Sequence, residues 1–229
     1  MKVSLLIFDL DGTLLDTLED LWASVNHALA LYSLPLRSKC EIRSFLGNGA
    51  RVLIHHSLAA PNGACALSDN APEEAFVSPE LEEKVLAAFR QYYLQHNQDL
   101  TRPYPGIMEM LRQCKEKGYK TAIVSNKPDA AVQQLHQRFF ADVIDVAFGE
   151  RQPAIRRKPA PDMVLLAMET LHATKAQSLY IGDSEVDLAT ARNAEIPCVS
   201  VDWGFRDRHF LEEQGATRII HLPDELFTA

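Results

Sequence analysis

Val3-Ser4-Leu5-Leu6-Ile7-Phe8-Asp9-Leu10-Asp11-Gly12-Thr13 is an apolar run that stops abruptly on two acids. A short run of this kind, rich in branched and aromatic residues and closed by polar and small ones, reads as a buried strand. Four further runs have the same form, at 120–126, 143–149, 178–184 and 197–203. Segments of helical periodicity lie between most of them, at 106–117, 129–139, 161–171 and 186–194. Strand alternating with helix implies a parallel sheet covered on both faces, a Rossmann-like α/β fold.

After the first strand the alternation breaks. Residues 17–103 carry amphipathic helical stretches at 18–31, 50–58 and 81–100, a polar loop at 60–79, and no strand pattern. They read as a helical insert, and residues 1–16 and 104–229 as the α/β core. The return passes through Pro103-Tyr104-Pro105-Gly106, whose composition suits a hinge.

With 229 residues and 47% hydrophobic composition the chain can bury a substantial core. A net charge of −8, with both signs interspersed, offers no basic face to a nucleic-acid backbone. Cys40, Cys65, Cys114 and Cys198 are dispersed and form no CxxC pair, as expected of reduced thiols in a cytoplasmic protein. Asp9 and Asp11 interrupt the N-terminal apolar run too early for a signal peptide. No stretch approaches the roughly 18 consecutive apolar residues of a membrane span.

Ligands of open parallel sheets gather at the carboxyl ends of the strands. Those ends carry Asp9-Leu10-Asp11-Gly12-Thr13, then Ser125-Asn126, then Lys158 in the loop after the third strand, then Asp183 and Asp187. Asp9 and Asp11 are two residues apart, so an extended backbone turns both to one side. A like-charged pair at about 4 Å repels by about 4 kcal/mol at an effective dielectric near 20. With Asp183 as a third acid, a bound cation best relieves this repulsion, and hard oxygen ligands without a His or Cys cluster favour Mg²⁺ over Zn²⁺. With a phosphate ester, Asp9 attacks phosphorus, and Asp11 protonates the leaving oxygen and later deprotonates water. Ser125 and Asn126, ahead of Pro128 at a helix start, present donors to a phosphate oxygen. Lys158 supplies a compact positive charge. Gly12 relieves a tight turn and joins the phosphate-binding set, while Asp187 orients Asp183 or Lys158.

Together these segments resemble the haloacid dehalogenase superfamily over nearly the whole chain. The resemblance implies that Asp9 is phosphorylated and Asp11 is the acid/base. It also implies that Asp9, the Asp11 backbone carbonyl and Asp183 bind Mg²⁺, and that Ser125 and Lys158 hold phosphate. The insert resembles the family's C1-type cap, placed just after the first motif and shaping substrate choice. Phe45-Leu46-Gly47-Asn48-Gly49-Ala50, Lys158-Pro159-Ala160-Pro161 and Val201-Asp202-Trp203-Gly204-Phe205 are similar to the phosphoglycolate phosphatases of that superfamily. The expected partner is therefore a small phosphorylated metabolite, 2-phosphoglycolate first, then sugar phosphates, nucleotides and pyrophosphate. A phosphotransferase of the phosphoglucomutase kind, a dehalogenase and a non-catalytic phosphate binder complete the alternatives. Dehalogenation is disfavoured, because a halide needs no acid such as Asp11. Asn48 and Arg51 are the candidate specificity residues of the insert; Arg51 reads equally as a surface salt bridge. His55 and His56 read as packing or solvated residues, and Trp203 and Phe205 as core or as the mouth of the site.

Overall fold

The computed structural model describes residues 3–60, 76–151 and 153–227. Cys65 and most of the loop expected at 60–79 lie outside the described residues. The chain divides into two compact units, one made of Met1–Asp16 with Pro103–Ala229, the other of Thr17–Arg102.

The first unit is built on a six-stranded sheet. Its strands are β1 (Leu5–Phe8), β2 (Lys120–Pro128), β3 (Val146–Glu150), β4 (Ser178–Gly182), β5 (Cys198–Val201) and β6 (Ile219–Ile220). They run in the order β3-β2-β1-β4-β5-β6, and every pairing is parallel. The order reverses at β1, whose Phe8 pairs with Ile123 of β2 and Ile181 of β4. The chain leaving β1 therefore emerges between the carboxyl ends of β2 and β4, where a doubly wound sheet opens a crevice.

The second unit is helical: α1 (Leu18–Leu31), α2 (Lys39–Phe45), α3 (Gly49–Ala59) and α4 (Pro79–His96). The helix α2 goes beyond the sequence expectation. It has only seven residues, and a capping box between Ser38 and Glu41 defines it, with Glu41 accepting the Ser38 N–H at 2.8 Å. Buried Arg37 ties this turn to α3: it pairs with Glu41 at 3.0 Å and donates to the carbonyls of Ser57 and Ala60. Asp20, on α1 and 3% exposed, accepts the backbone N–H groups of Leu100 at 3.0 Å and Thr101 at 2.9 Å.

The helices α5 (Ile107–Glu116), α6 (Asp129–Leu135), α7 (Asp162–Thr170), α8 (Glu185–Ala194) and α9 (Arg208–Glu213) belong to the first unit. Successive residues of β1 point to opposite faces of the sheet. Leu6 and Phe8 enter a core with Ile107, Leu111, Val132 and Leu135 of α5 and α6. Leu5 and Ile7 enter another with Met163, Val164, Ala167 and Ala191 of α7 and α8. All four β1 residues are buried, which is why the strand reads as a continuous apolar run rather than an alternating one. Each such side chain removed from water contributes roughly 1.5–3 kcal/mol. β6 and α9 extend the fold past the expected elements; two and six residues are too few to set a period. The helix expected to 139 is α-helical to Leu135 and ends in a π turn at His136–Phe140 that seats buried Phe140. Among the described residues no helix is long and apolar enough to cross a membrane.

Asp20→Ala leaves the Leu100 and Thr101 N–H groups without their carboxylate. It is expected to cost roughly 1–3 kcal/mol in urea unfolding; an unchanged midpoint would show that water serves those donors equally well.

Candidate active site

Asp9 leaves the end of β1 with its N–H bonded to the Ile181 carbonyl at 2.9 Å, so the sheet register fixes its backbone. Its Oδ1 accepts the Leu10 N–H at 2.7 Å and the Lys158 ammonium at 2.8 Å. Lys158 is buried and bridges to Asp187 Oδ1 at 2.8 Å. Asn126 anchors the Lys158 backbone on both sides, its Oδ1 accepting the N–H at 2.7 Å and its Nδ2 donating to the carbonyl at 3.1 Å. Asp187 stands in the first turn of α8 and is fully engaged. Its Oδ1 also accepts the Tyr180 hydroxyl at 2.9 Å, and its Oδ2 accepts the Ser184 hydroxyl at 2.6 Å and the N–H groups of Asp183 and Ser184.

Asp183 follows the end of β4 and is 1% exposed. Its Oδ1 accepts the Thr13 hydroxyl at 2.9 Å and its Oδ2 the Phe205 N–H at 2.8 Å. Two glycines make room for it. A Cβ on Gly12, where φ is +85°, would stand 2.3 Å from Asp183 Oδ2, and one on Gly204 would meet Asp183 Cβ at 2.5 Å. The Gly12 N–H itself donates to the Leu15 carbonyl at 2.9 Å, so this residue serves the site through its missing side chain.

Asp9, Asp183 and Asp187 each place one carboxylate oxygen within 4.8 Å of the other two. Burial, then the charge of Asp187, pushes the Asp9 carboxyl well above the usual range against the pull of Lys158. Burial and Asp187 likewise push Asp183 up to about 7. Burial opposes the charge on Lys158, yet Asp187 and Asp9 outweigh it and hold the ammonium above its ordinary value. Burial and the same two acids push the Tyr180 phenol well above its ordinary value.

Asp11 is not one of those three acids. Its Oδ1 pairs at 2.9 Å with Lys127, whose side chain is only 3% exposed. Ser125 is buried beside it and accepts the Lys127 N–H at 3.2 Å. The structure thus assembles Asp9, Asn126, Lys158, Asp183 and Asp187 into one bonded set with Gly12 packed against Asp183, and joins Asp11 and Ser125 through Lys127 on the adjoining strand ends. In the second unit, Asn48 precedes α3, and Arg51 pairs with Glu82 at 3.0 Å and Glu83 at 2.7 Å. His55 also has a partner, Glu82 at 2.8 Å, which its sequence neighbourhood did not suggest. Trp203 donates from Nε1 to the Thr13 carbonyl at 3.0 Å. Thr13, Tyr180 and Lys127 are members of the site that the sequence expectation omitted. Thr13 and Lys127 were legible as neighbours of Asp11 and Asn126, whereas Tyr180 reads as an ordinary strand aromatic.

Fold and site define an α/β protein with an acidic centre at its topological switch point. A model of the haloacid dehalogenase-like hydrolase family matches residues 6–201, and the chain belongs to that family. Among curated relatives, a phosphoglycolate phosphatase of Mesorhizobium japonicum is 31% identical over 97% of this chain and 92% of its own. One of Haemophilus influenzae is 36% identical over 89% and 88%. A solved structure from Lactobacillus delbrueckii subsp. bulgaricus superposes with a TM-score of 0.91 at 38% identity, covering 99% of this chain and 97% of that one.

Asp187→Ala removes the shared acceptor of an ammonium, a phenol and two backbone amides. The expected loss of unfolding stability is roughly 3–5 kcal/mol. A loss below about 1 kcal/mol, the scale of an exposed pair, would show that this network does not hold the loop.

Proposed function

We propose that the chain is a phosphoric monoester hydrolase that uses Asp9 as its nucleophile and acts on a small phosphorylated metabolite, 2-phosphoglycolate first. The observation that carries this reading is the single environment of Asp9: a buried carboxylate held through one oxygen by Leu10 N–H and Lys158, beside Asp183, with a second acid two residues on. Holding Oδ1 in two hydrogen bonds orients Oδ2 for attack on phosphorus. Attack forms the Asp9–phosphate bond and breaks the bond to the leaving oxygen, which takes a proton from Asp11. Asp11 then receives a proton from water as that water releases phosphate from Asp9. The names of the curated relatives support 2-phosphoglycolate as the substrate.

The residues fit a divalent cation. Of three clustered buried carboxylates, Asp9 and Asp187 share the Lys158 ammonium, and Asp9 and Asp183 are displaced toward protonation. Asp9 and Asp183 side chains and the Asp11 backbone carbonyl would hold Mg²⁺, since the Asp187 oxygens are already bonded. The ion supplies positive charge that offsets repulsion between the nucleophile and the phosphate dianion. Lys158 and the Ser125 hydroxyl serve the phosphate oxygens, and Asn126 and Asp187 keep Lys158 in place. The helical unit, residues 17–103 by its sequence pattern, serves as a C1-type cap with Asn48 and Arg51 as specificity residues; its position directly after the first motif supports this. Free thiols at Cys40, Cys114 and Cys198 suit a cytoplasmic setting.

Asp9→Asn is expected to abolish phosphate release while leaving the fold intact, and Asp11→Asn to lower kcat by roughly 10²–10⁴-fold. Chelation of divalent ions should stop the wild type and Mg²⁺ restore it. Phosphate release measured across 2-phosphoglycolate, hexose phosphates, nucleotides and pyrophosphate should favour 2-phosphoglycolate. Full activity of Asp9→Asn contradicts the nucleophile assignment, and a flat substrate profile contradicts the substrate.

A further inference from the structure

Residues 202–206, the segment between β5 and α9, lie against the first motif and are fastened at both ends. Asp202 pairs with Arg208 at 3.1 Å and His221 at 2.8 Å, and its N–H donates to the Ile220 carbonyl at 3.2 Å. Arg206 closes the other end on Glu185, the first residue of α8, with Nε 3.1 Å from Oε2 and Nη2 3.4 Å from Oε1. Between these anchors the backbone meets the site three times. Trp203 donates to the Thr13 carbonyl, and Gly204 stands so near the Gly12 carbonyl that a Cβ would meet it at 2.3 Å. The Phe205 N–H then donates to Asp183 Oδ2 at 2.8 Å. The Arg206 side chain is the buried member of its pair, 6% exposed against 26% for Glu185, and its guanidinium carbon lies 5.5 Å from the centre of the Phe210 ring. Withdrawing a guanidinium from water is costly unless its pairing is well formed, and a fork that meets both carboxylate oxygens fixes direction as well as charge.

We infer that Arg206 is a positioning residue for metal binding: by gripping Glu185 it holds the Phe205 N–H on Asp183 Oδ2, and so sets the orientation of the carboxylate offered to the divalent cation. This rests on the assignment of Asp183 as a ligand above. Asp183 and Glu185 are two residues apart, and Phe205 and Arg206 are adjacent. The amide-to-carboxylate bond and the fork therefore close a ring of backbone and side chains. Turning the Asp183 carboxylate breaks the Phe205 bond, and moving the Phe205 amide away opens the fork. With the Thr13 hydroxyl on Oδ1 at 2.9 Å, both oxygens are tied and the plane of the carboxylate is set before an ion arrives. Partners that hold a ligand in this way raise metal affinity without touching the metal. Arg206 acts at two removes, through Glu185 and through the amide that precedes it in the chain.

The test is titration of the full chain with Mn²⁺ alone, read from the loss of the free-ion EPR signal. It compares the wild type with Asp183→Asn, Arg206→Met, Glu185→Gln and the double variant that combines the last two. Thermal melting identifies a variant that fails to fold, and Glu185→Gln, at the more exposed end of the fork, is the milder of the pair. Each folded single variant should weaken Mn²⁺ binding about 10- to 100-fold. The Mg²⁺ concentration that half-activates phosphate release should rise by the same factor. The double variant should bind no more weakly than the worse single one, because both substitutions open one fork. Arg206→Lys keeps the charge without the fork and should fall nearer to Arg206→Met than to the wild type. Folded variants that melt earlier yet bind Mn²⁺ as the wild type does would mark a purely structural pair and overturn the inference. A loss in Arg206→Met that is absent from Glu185→Gln overturns it too, since the charge and not the fork would then be the cause. If Asp183→Asn binds Mn²⁺ as tightly as the wild type, the ligand assignment itself falls and takes the inference with it, a failure separate from that of the fork.

Discussion

Three carboxylates buried within 4.8 Å of one another form the constraint around which the sheet's carboxyl edge is arranged. Such a cluster is unstable by itself, and the fold answers it with hydrogen bonds, the Lys158 ammonium and the charge of Arg206. Asp187 accepts from Lys158, Tyr180, Ser184 and two backbone amides, so its charge is spread over five donors. Asp183 has Thr13 and Phe205, and Asp9 has Leu10 and Lys158. Burial, and then the charge of Asp187, still hold the Asp9 and Asp183 carboxyls above their ordinary range. That residual demand for positive charge lies where a divalent ion and a phosphoryl group would meet the nucleophile.

The strand order supplies the convergence. β1 is flanked by β2 and β4, so residues 9, 125–127 and 183 arrive at one edge although they are far apart along the chain. Both faces of the sheet are sealed by helices, which leaves that edge as the place where polar groups from several strands can gather. Gly12 and Gly204 then let two backbone segments close on Asp183 at distances no side chain would permit.

Much of this was legible in the amino-acid order. The apolar run ending at Asp9, the alternation of strand and helix, and the acids and lysine at successive strand ends point to the fold class and to most of the residues gathered in the candidate site. The family match over residues 6–201 agrees with that fold. The omissions have physical causes. β6 and α9 are too short to express a period, and α2 is marked by a capping box rather than by amphipathicity. Tyr180 reads as strand filling because its ring packs in the core while only its hydroxyl reaches Asp187. Lys127, next to Asn126 at the end of β2, shows its importance only when paired across space with Asp11. Gly12 illustrates the reverse: its N–H is committed to Leu15, and its contribution is the absence of a side chain beside Asp183.

The central claim is that the carboxylate of Asp9 becomes covalently bonded to phosphorus during turnover. Rapid quenching of the protein with Mg²⁺ and 2-phosphoglycolate, followed by borohydride reduction and peptide mass spectrometry, tests it directly. An acyl phosphate at Asp9 is reduced to homoserine at that position, and this is the predicted result. Homoserine at another acid, or an unaltered Asp9 in protein quenched during full turnover, would contradict it.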